Sequence, residues 1–206
     1  MYKRQRYDRT KSRVYLGEYA AHLPGRPSNI ETALSEALYL TAVERNGDIV
    51  SMTSYAPLLA KDRHTQWSPD LIYFDNTEVK PTVGYYTQLM YGQNSGNEYL
   101  FSAIDLDNRQ EAVKKRVGAS VVKENESADI IVKLVNLLPV SVRSQVELDG
   151  DALIHPSAIK TVLTGDPKDK QAKPVSSGFE LSGNNFSYEM PAYSFTVIRI
   201  HSTGNR

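Results

Sequence analysis

Hydrophobic positions change their rhythm twice along this chain. Near the start, Val14-Tyr15-Leu16 is a short β-rich run that ends in Gly17-Glu18 and leads into the breakers Pro24-Gly25-Arg26-Pro27, which reads as a strand and then a loop. Apolar or small residues next recur at spacings of three and four, at Ile30, Ala33, Leu34, Ala37, Leu38 and Thr41. That stripe predicts an amphipathic helix of about four turns. Ser28 stands three residues before Glu31, the spacing at which two side chains satisfy unpaired N–H groups at a helix start, so the helix is expected to begin there. Asn46-Gly47 tolerates left-handed geometry and ends it, and Asp48 to Thr53 supplies a second short strand. A strand, a helix of this length and another strand favour parallel pairing with the helix packed across the pair.

Beyond Pro57 the chain is irregular through His64-Thr65-Gln66-Trp67-Ser68-Pro69, then offers the apolar run Leu71 to Phe74 and a helical stretch from Thr82 to Tyr91. After Gly92 the rhythm changes again. Strand-like runs arrive at intervals of roughly 10 to 20 residues, a spacing that favours a sandwich or barrel. They are Tyr99 to Leu106, Val117 to Lys123, Asp129 to Leu138, Val140 to Leu148, Lys160 to Leu163 and Tyr193 to His201. Val140, Val142, Val146 and Leu148 alternate with Ser141, Arg143, Gln145 and Glu147, so this strand is expected to face a core on one side and water on the other. Asp129 to Leu138 is apolar on both faces and belongs at the centre of a sheet. Pro139 between these two runs cannot donate to a ladder and predicts the turn of a hairpin joining them.

Composition narrows the function classes. Lysine plus arginine equals aspartate plus glutamate at 24 each, so no net field draws the chain to nucleic acid or anionic lipid. No window approaches the roughly 18 apolar residues a membrane span needs, and the first residues carry no apolar stretch of the kind an export signal uses. Zero cysteines exclude disulfides, thiolate metal sites and cysteine nucleophiles. The four histidines, His22, His64, His155 and His201, show no metal-ligand spacing. Phosphate-cradling, dinucleotide-binding and nucleophile-elbow motifs are absent as well. No metal and no cofactor is expected.

Several segments carry a family pattern. In order they are Tyr7-Asp8-Arg9, then Val14 to Ala20 read as VYLGEYA, Ala37 to Asn46 read as ALYLTAVERN, Ser54 to Leu58 read as SYAPL, and Trp67 to Asn76 read as WSPDLIYFDN. In order and spacing they resemble the end of the catalytic barrel of glycoside hydrolase family 51 α-L-arabinofuranosidases. The tail from Met190 to Ile200 resembles the close of that family's C-terminal β domain. The resemblance therefore implies a mixed α and β chain in two parts: residues 1–91, the C-terminal remnant of a (β/α)8 barrel, and residues 92–206, a β-sandwich domain. It also implies retaining hydrolysis of terminal α-L-arabinofuranosyl units, with arabinose-containing oligo- or polysaccharides as partners and Glu18 of the Gly-Glu-Tyr motif as nucleophile.

A carboxylate at the C-terminal end of a parallel strand sits where barrel enzymes gather their loops, and it can attack an anomeric carbon to form a glycosyl ester. The bland alternative is a strand-end carboxylate paired with Arg9. Retention needs a second carboxyl group to protonate the leaving oxygen, which the resemblance places in an Asn-Glu pair upstream of the nucleophile. None of the 17 residues before Glu18 is glutamate, and Asn97-Glu98 falls too late in the chain and reads as a turn. The expectation is a fragment, inactive by itself.

Tyr55, Gln66 and Trp67 follow the second strand and are candidates to line the sugar site, by hydrogen bonds and by stacking on the ring. Trp67 is equally placed to be a core residue between the two parts, and His64 and Gln66 to be simple loop polar residues. Tyr19 either positions the nucleophile or packs inside the barrel, and Glu31, Glu36 and Glu44 are expected to cap the helix or face water. The competing function is a non-catalytic β-sandwich module for carbohydrate binding or structural support. Unpaired strand edges in the barrel part also leave self-association open.

Overall fold

The computed structural model describes residues 8–150 and 153–203. Its first unit is β1 (Val14–Tyr19), α1 (Ile30–Glu44) and β2 (Val50–Tyr55). β1 and β2 pair in parallel, from Val14 beside Val50 to Tyr19 beside Tyr55, as the strand, helix, strand pattern predicts. The helix start corrects the Ser28 reading by one residue. Asn29 is the N-cap, its Oδ1 accepting the Thr32 amide at 3.0 Å, while the Thr32 hydroxyl donates to the Pro27 carbonyl at 2.7 Å. Both residues can cap; Asn29 takes the position because Thr32 braces the incoming chain from inside the first turn.

A small sheet follows, made of β3 (Leu59–Lys61), β4 (Ile72–Phe74) and β5 (Val79–Pro81), with β3 and β4 parallel and β5 antiparallel. The chain then enters α2 (Val83–Gly92), which lies against α1. Pairing from here on is antiparallel. The elements are β6 (Glu98–Leu100), the single turn α3 (Glu111–Lys114), β7 (Val117–Lys123), β8 (Ile130–Asn136), β9 (Val142–Glu147), β10 (Leu153–Thr164), β11 (Val175–Glu180), β12 (Asn185–Met190) and β13 (Ser194–Thr203). Six of these strands form one sheet in the order β11-β10-β13-β8-β7-β6, and β9 and β12 pair separately.

β8 occupies the centre of the large sheet, with every residue buried, as its continuous apolar character predicts. The hairpin expected across Pro139 does not form. β8 already has β7 on one edge and β13 on the other, so no ladder position is free for β9. β9 pairs instead with β12, Val142 beside Met190 and Glu147 beside Asn185. The run expected from Tyr99 to Leu106 shortens to the three residues of β6, and the run expected from Lys160 to Leu163 lengthens to the whole of β10.

Strand alternation divides the interior into two cores that share the large sheet. On one face Ile131 and Val135 of β8 and Phe195 and Val197 of β13 meet Ile30, Ala33, Leu34 and Ala37 of α1 and Val83, Met90 and Tyr91 of α2. On the other, Ile130, Val132, Leu134, Ile198 and Ile200 meet Phe186, Tyr188 and Met190 of β12. Lys133 points to the helical side with no exposed surface, and its Nζ donates to Glu44 Oε1 at 2.5 Å. The Ser120 hydroxyl donates to the other oxygen of Glu44, also at 2.5 Å. Glu44 is therefore a partly buried tie between helix and sheet, which corrects its reading as a solvated helix carboxylate. Gly118 permits the close approach: a Cβ there would lie 2.8 Å from Leu38 Cδ2 and 3.1 Å from Thr41 Oγ1.

Candidate functional site

β1 carries Glu18 as its penultimate residue, and the chain then runs through Tyr19, Ala20 and Ala21 toward the loop before α1. A cleft of about 380 Å³ opens at this end of the strand, bordered by Glu18, Tyr19, Ala20, Ala21, Glu36 and Tyr39. Glu18 is exposed, and its carboxylate makes no hydrogen bond or ion pair among the described residues. The alternative in which it pairs with Arg9 does not hold. The Arg9 guanidinium instead grips Asp48 in a bidentate pair beyond the far end of α1, with Nε to Oδ2 at 2.6 Å. Glu18 is left as an unengaged carboxylate at the C-terminal end of a parallel strand.

Beneath that strand end lies a buried polar network built on Glu36. Its Oε1 accepts the Tyr55 hydroxyl at 3.0 Å and the Ala21 amide at 3.3 Å, and its Oε2 accepts Gln88 Nε2 at 3.2 Å. Gln88 Oε1 in turn accepts the Tyr19 hydroxyl at 2.5 Å. The network joins the ends of β1 and β2 to both helices. Glu36 is only 1% exposed, so its reading as a capping or solvated residue is wrong. Burial pushes its carboxyl above the ordinary value, against the opposing pull of its hydrogen bonds. Burial also pushes the Tyr19 hydroxyl up to about 12, and raises the Tyr55 hydroxyl, with the neighbouring Glu36 charge adding to the effect. Both tyrosines thus serve as neutral donors.

Of the residues expected at the sugar site, the structure gathers some and separates others. Tyr19 lies beside Glu18 on the cleft wall, its ring 5.4 Å from that of Tyr39 and 5.6 Å from that of Tyr55. Tyr55 joins the network below with its hydroxyl turned inward. Gln66 and Trp67 lie on the exposed loop before β4 and are not among the residues bordering the cleft. Trp67 is 65% exposed, which removes its reading as a core residue. Its carbonyl accepts the Thr65 hydroxyl at 2.9 Å, and its ring is open to solvent. His64 lines a separate shallow groove with Lys61, Asp62, Asp75, Asn76 and Thr77.

Sequence reasoning missed Glu36, Gln88 and Tyr39. A signal for Glu36 was present: Thr32, Glu36 and Leu40 form a second line at spacings of four beside Ala33, Ala37 and Thr41, and all six are buried. Among the described residues no group of three or more His, Asp or Glu is arranged to hold a metal ion. No helix there is long and apolar enough to cross a membrane.

Comparison with known proteins adds four findings. The α-L-arabinofuranosidase C-terminal domain family matches the chain over residues 7–194. An extracellular exo-α-L-arabinofuranosidase of Streptomyces chartreusis is 41% identical over 91 residues, which is 44% of this chain and 10% of the relative. α-L-Arabinofuranosidase 1 of Arabidopsis thaliana is 28% identical over 208 aligned residues, covering 92% of this chain and 30% of its own length. This chain therefore spans less than a third of either relative. Among solved structures, an arabinose-bound family 51 α-L-arabinofuranosidase superposes with a TM-score of 0.81 at 24% identity, over 93% of this chain and 36% of that one. At that identity the likeness concerns the fold.

Proposed function

The chain belongs to the α-L-arabinofuranosidase C-terminal domain family, and from that premise we propose that it carries the nucleophile end of a retaining α-L-arabinofuranosidase site. The observation that carries this reading is Glu18, unengaged and exposed at the C-terminal end of a parallel strand, on the rim of a cleft. The substrate class is a terminal, non-reducing α-L-arabinofuranosyl unit of a plant-type arabinoside. Glu18 attacks the anomeric carbon as the glycosidic bond breaks, and the leaving oxygen takes its proton from a second carboxyl group. Water then cleaves the glycosyl ester, with that same group as base.

Glu36 borders the same cleft, but its carboxylate already accepts from three donors of the fold. We therefore assign the acid/base role to a residue outside the described chain, and the chain alone is inactive. In this reading residues 1–91 supply the closing strands and helices of a (β/α)8 barrel, with β1, α1 and β2 as one of its repeating units. Residues 92–206 are the β domain that braces it. Tyr19 lines the glycone side of the cleft, while Tyr55, Gln66 and Trp67 bear on substrate only when the remaining barrel strands close around it. A purely supporting role for residues 92–206 draws on the burial of Phe186 and Tyr188 within the second core; among the described residues there, Phe101 is the one largely exposed aromatic, and a single ring makes no row to grip sugar.

The test is hydrolysis of a chromogenic aryl α-L-arabinofuranoside by this chain, beside Glu18→Gln. Absence of turnover is expected from both, with Glu18-dependent turnover appearing when the upstream part of a relative is supplied in trans. Turnover by the chain alone that vanishes in Glu18→Gln would keep the nucleophile and discard the missing acid. Turnover that survives Glu18→Gln would discard the nucleophile.

A further inference from the structure

Glu36 occupies a position no packing argument requires. It is a carboxylate with 1% exposure on a helix whose neighbours at that level are Ala33, Ala37 and Leu40. Burying such a group unpaired is strongly unfavourable, and no cation among the described residues pairs with it. All three groups bonded to it are neutral donors, from three different elements: the Ala21 amide just beyond β1, the Tyr55 hydroxyl at the last residue of β2, and the Gln88 amide of α2. Gly84 makes room for it. A Cβ at that position would stand 3.3 Å from Glu36 Oε2 and 3.4 Å from Leu71 Cδ1, so the first turn of α2 is bare where the carboxylate sits.

At the end of β1 the Tyr19 side chain is anchored on Gln88, but the ladder beside Glu18 is irregular. The register between β1 and β2 slips between Leu16 and Tyr19, and the join between the strand ends resumes at Tyr19 beside Tyr55, with the Ala56 amide donating to the Tyr19 carbonyl at 3.3 Å. Glu18 lies within that slipped stretch, where the ladder alone does not fix the backbone.

We propose that Glu36 is a positioning residue for Glu18: its carboxylate clamps the Ala21 amide on one side of the slip and Tyr55 on the partner strand, so that a fixed backbone presents Glu18 to the cleft. The clamp works through acceptor oxygens. Both strand-end donors converge on Oε1, so a carboxamide at this position retains one oxygen for both, whereas an apolar side chain of similar volume retains none. The inference rests on the assignment of Glu18 above, but its readout is independent of turnover, so inactivity of the chain leaves it standing or falling by itself.

The experiment is amide hydrogen exchange on the whole chain, comparing Glu36→Leu with Glu36→Gln. In Glu36→Leu the Ala21 and Ala56 amides are expected to exchange about tenfold faster or more, with Ile130 to Asn136 of β8 unchanged. In Glu36→Gln the same two amides are expected within about threefold of wild type. A residue that merely fills space would give the opposite order, because leucine packs better than glutamine. Equal exchange in the two variants at Ala21 and Ala56 would overturn the proposal, as would acceleration spread evenly into β8. Should Glu36→Leu fail to fold, Tyr55→Phe removes one donor only: faster exchange at Ala56 with β8 unchanged supports the clamp, and an unchanged Ala56 amide overturns it.

Discussion

β1 and β8 are of similar length and rich in apolar residues, yet they live in different environments. Every residue of β8 is buried, with neighbours on both edges and a core on each face. No residue of β1 is fully buried; among the described residues it pairs with β2 alone, and on this pair Tyr15 is 56% and Met52 58% exposed. The difference separates support from chemistry. The strand that holds the candidate nucleophile has no fully buried residue, and the hydrogen bonds at its end add to the partial packing of Tyr19 against the helical core. Segments of this kind open at lower free energy than core strands do, which suits the role proposed for Glu18.

The comparison can be broken most forcefully from the core side. Phe195 is fully buried and stacks on Tyr91 with ring centroids 4.8 Å apart. Phe195→Ala is expected to cost about 3 to 5 kcal/mol in urea unfolding, and a loss under about 1 kcal/mol would mean the helical core is not what holds the sheet. Glu44→Ala comes next. It leaves Lys133 buried without its partner, and a loss of about 3 kcal/mol at neutral pH is expected from the same measurement.

Glu36 tests the other side through pH. Because burial raises its carboxyl, the folded chain holds that proton more tightly than the unfolded chain does. Its contribution is therefore fully present in acid and is lost as pH rises through the raised value. Thermal unfolding is expected to show Glu36→Gln gaining on wild type from about pH 4 to 5 upward. A constant difference across that range would contradict the burial argument. The smallest effect is expected at Met52→Ser, on the open face of the parallel pair, at within about 0.5 kcal/mol. A loss several times larger would show that this face is covered in solution.

Local patterns made part of this visible beforehand. The stripe from Ile30 to Thr41 announced α1, and the unbroken apolar run announced β8, because in both the signal lies within a dozen residues. The partner of β9 was not legible: alternation says which face is buried but not which strand lies alongside, and β12 follows some 40 residues later. β12 itself was readable, since Phe186, Tyr188 and Met190 alternate with polar residues, whereas β11, mostly exposed and containing Ser176-Ser177-Gly178, offered no apolar signal. Glu18 was identified through its resemblance to a family motif. Glu36 was missed because its meaning depends on Tyr55 and Gln88, 19 and 52 residues away, which only the fold brings to it.

The large sheet is a wall shared by two rooms. Ile131, Val135, Phe195 and Val197 look toward α1 and α2, while Val132, Leu134, Ile198 and Ile200 look the other way. Anyone transplanting the β-rich half onto another catalytic body would bare the first of these surfaces and invite aggregation, so a workable graft would have to carry α1 and α2 along as its lining.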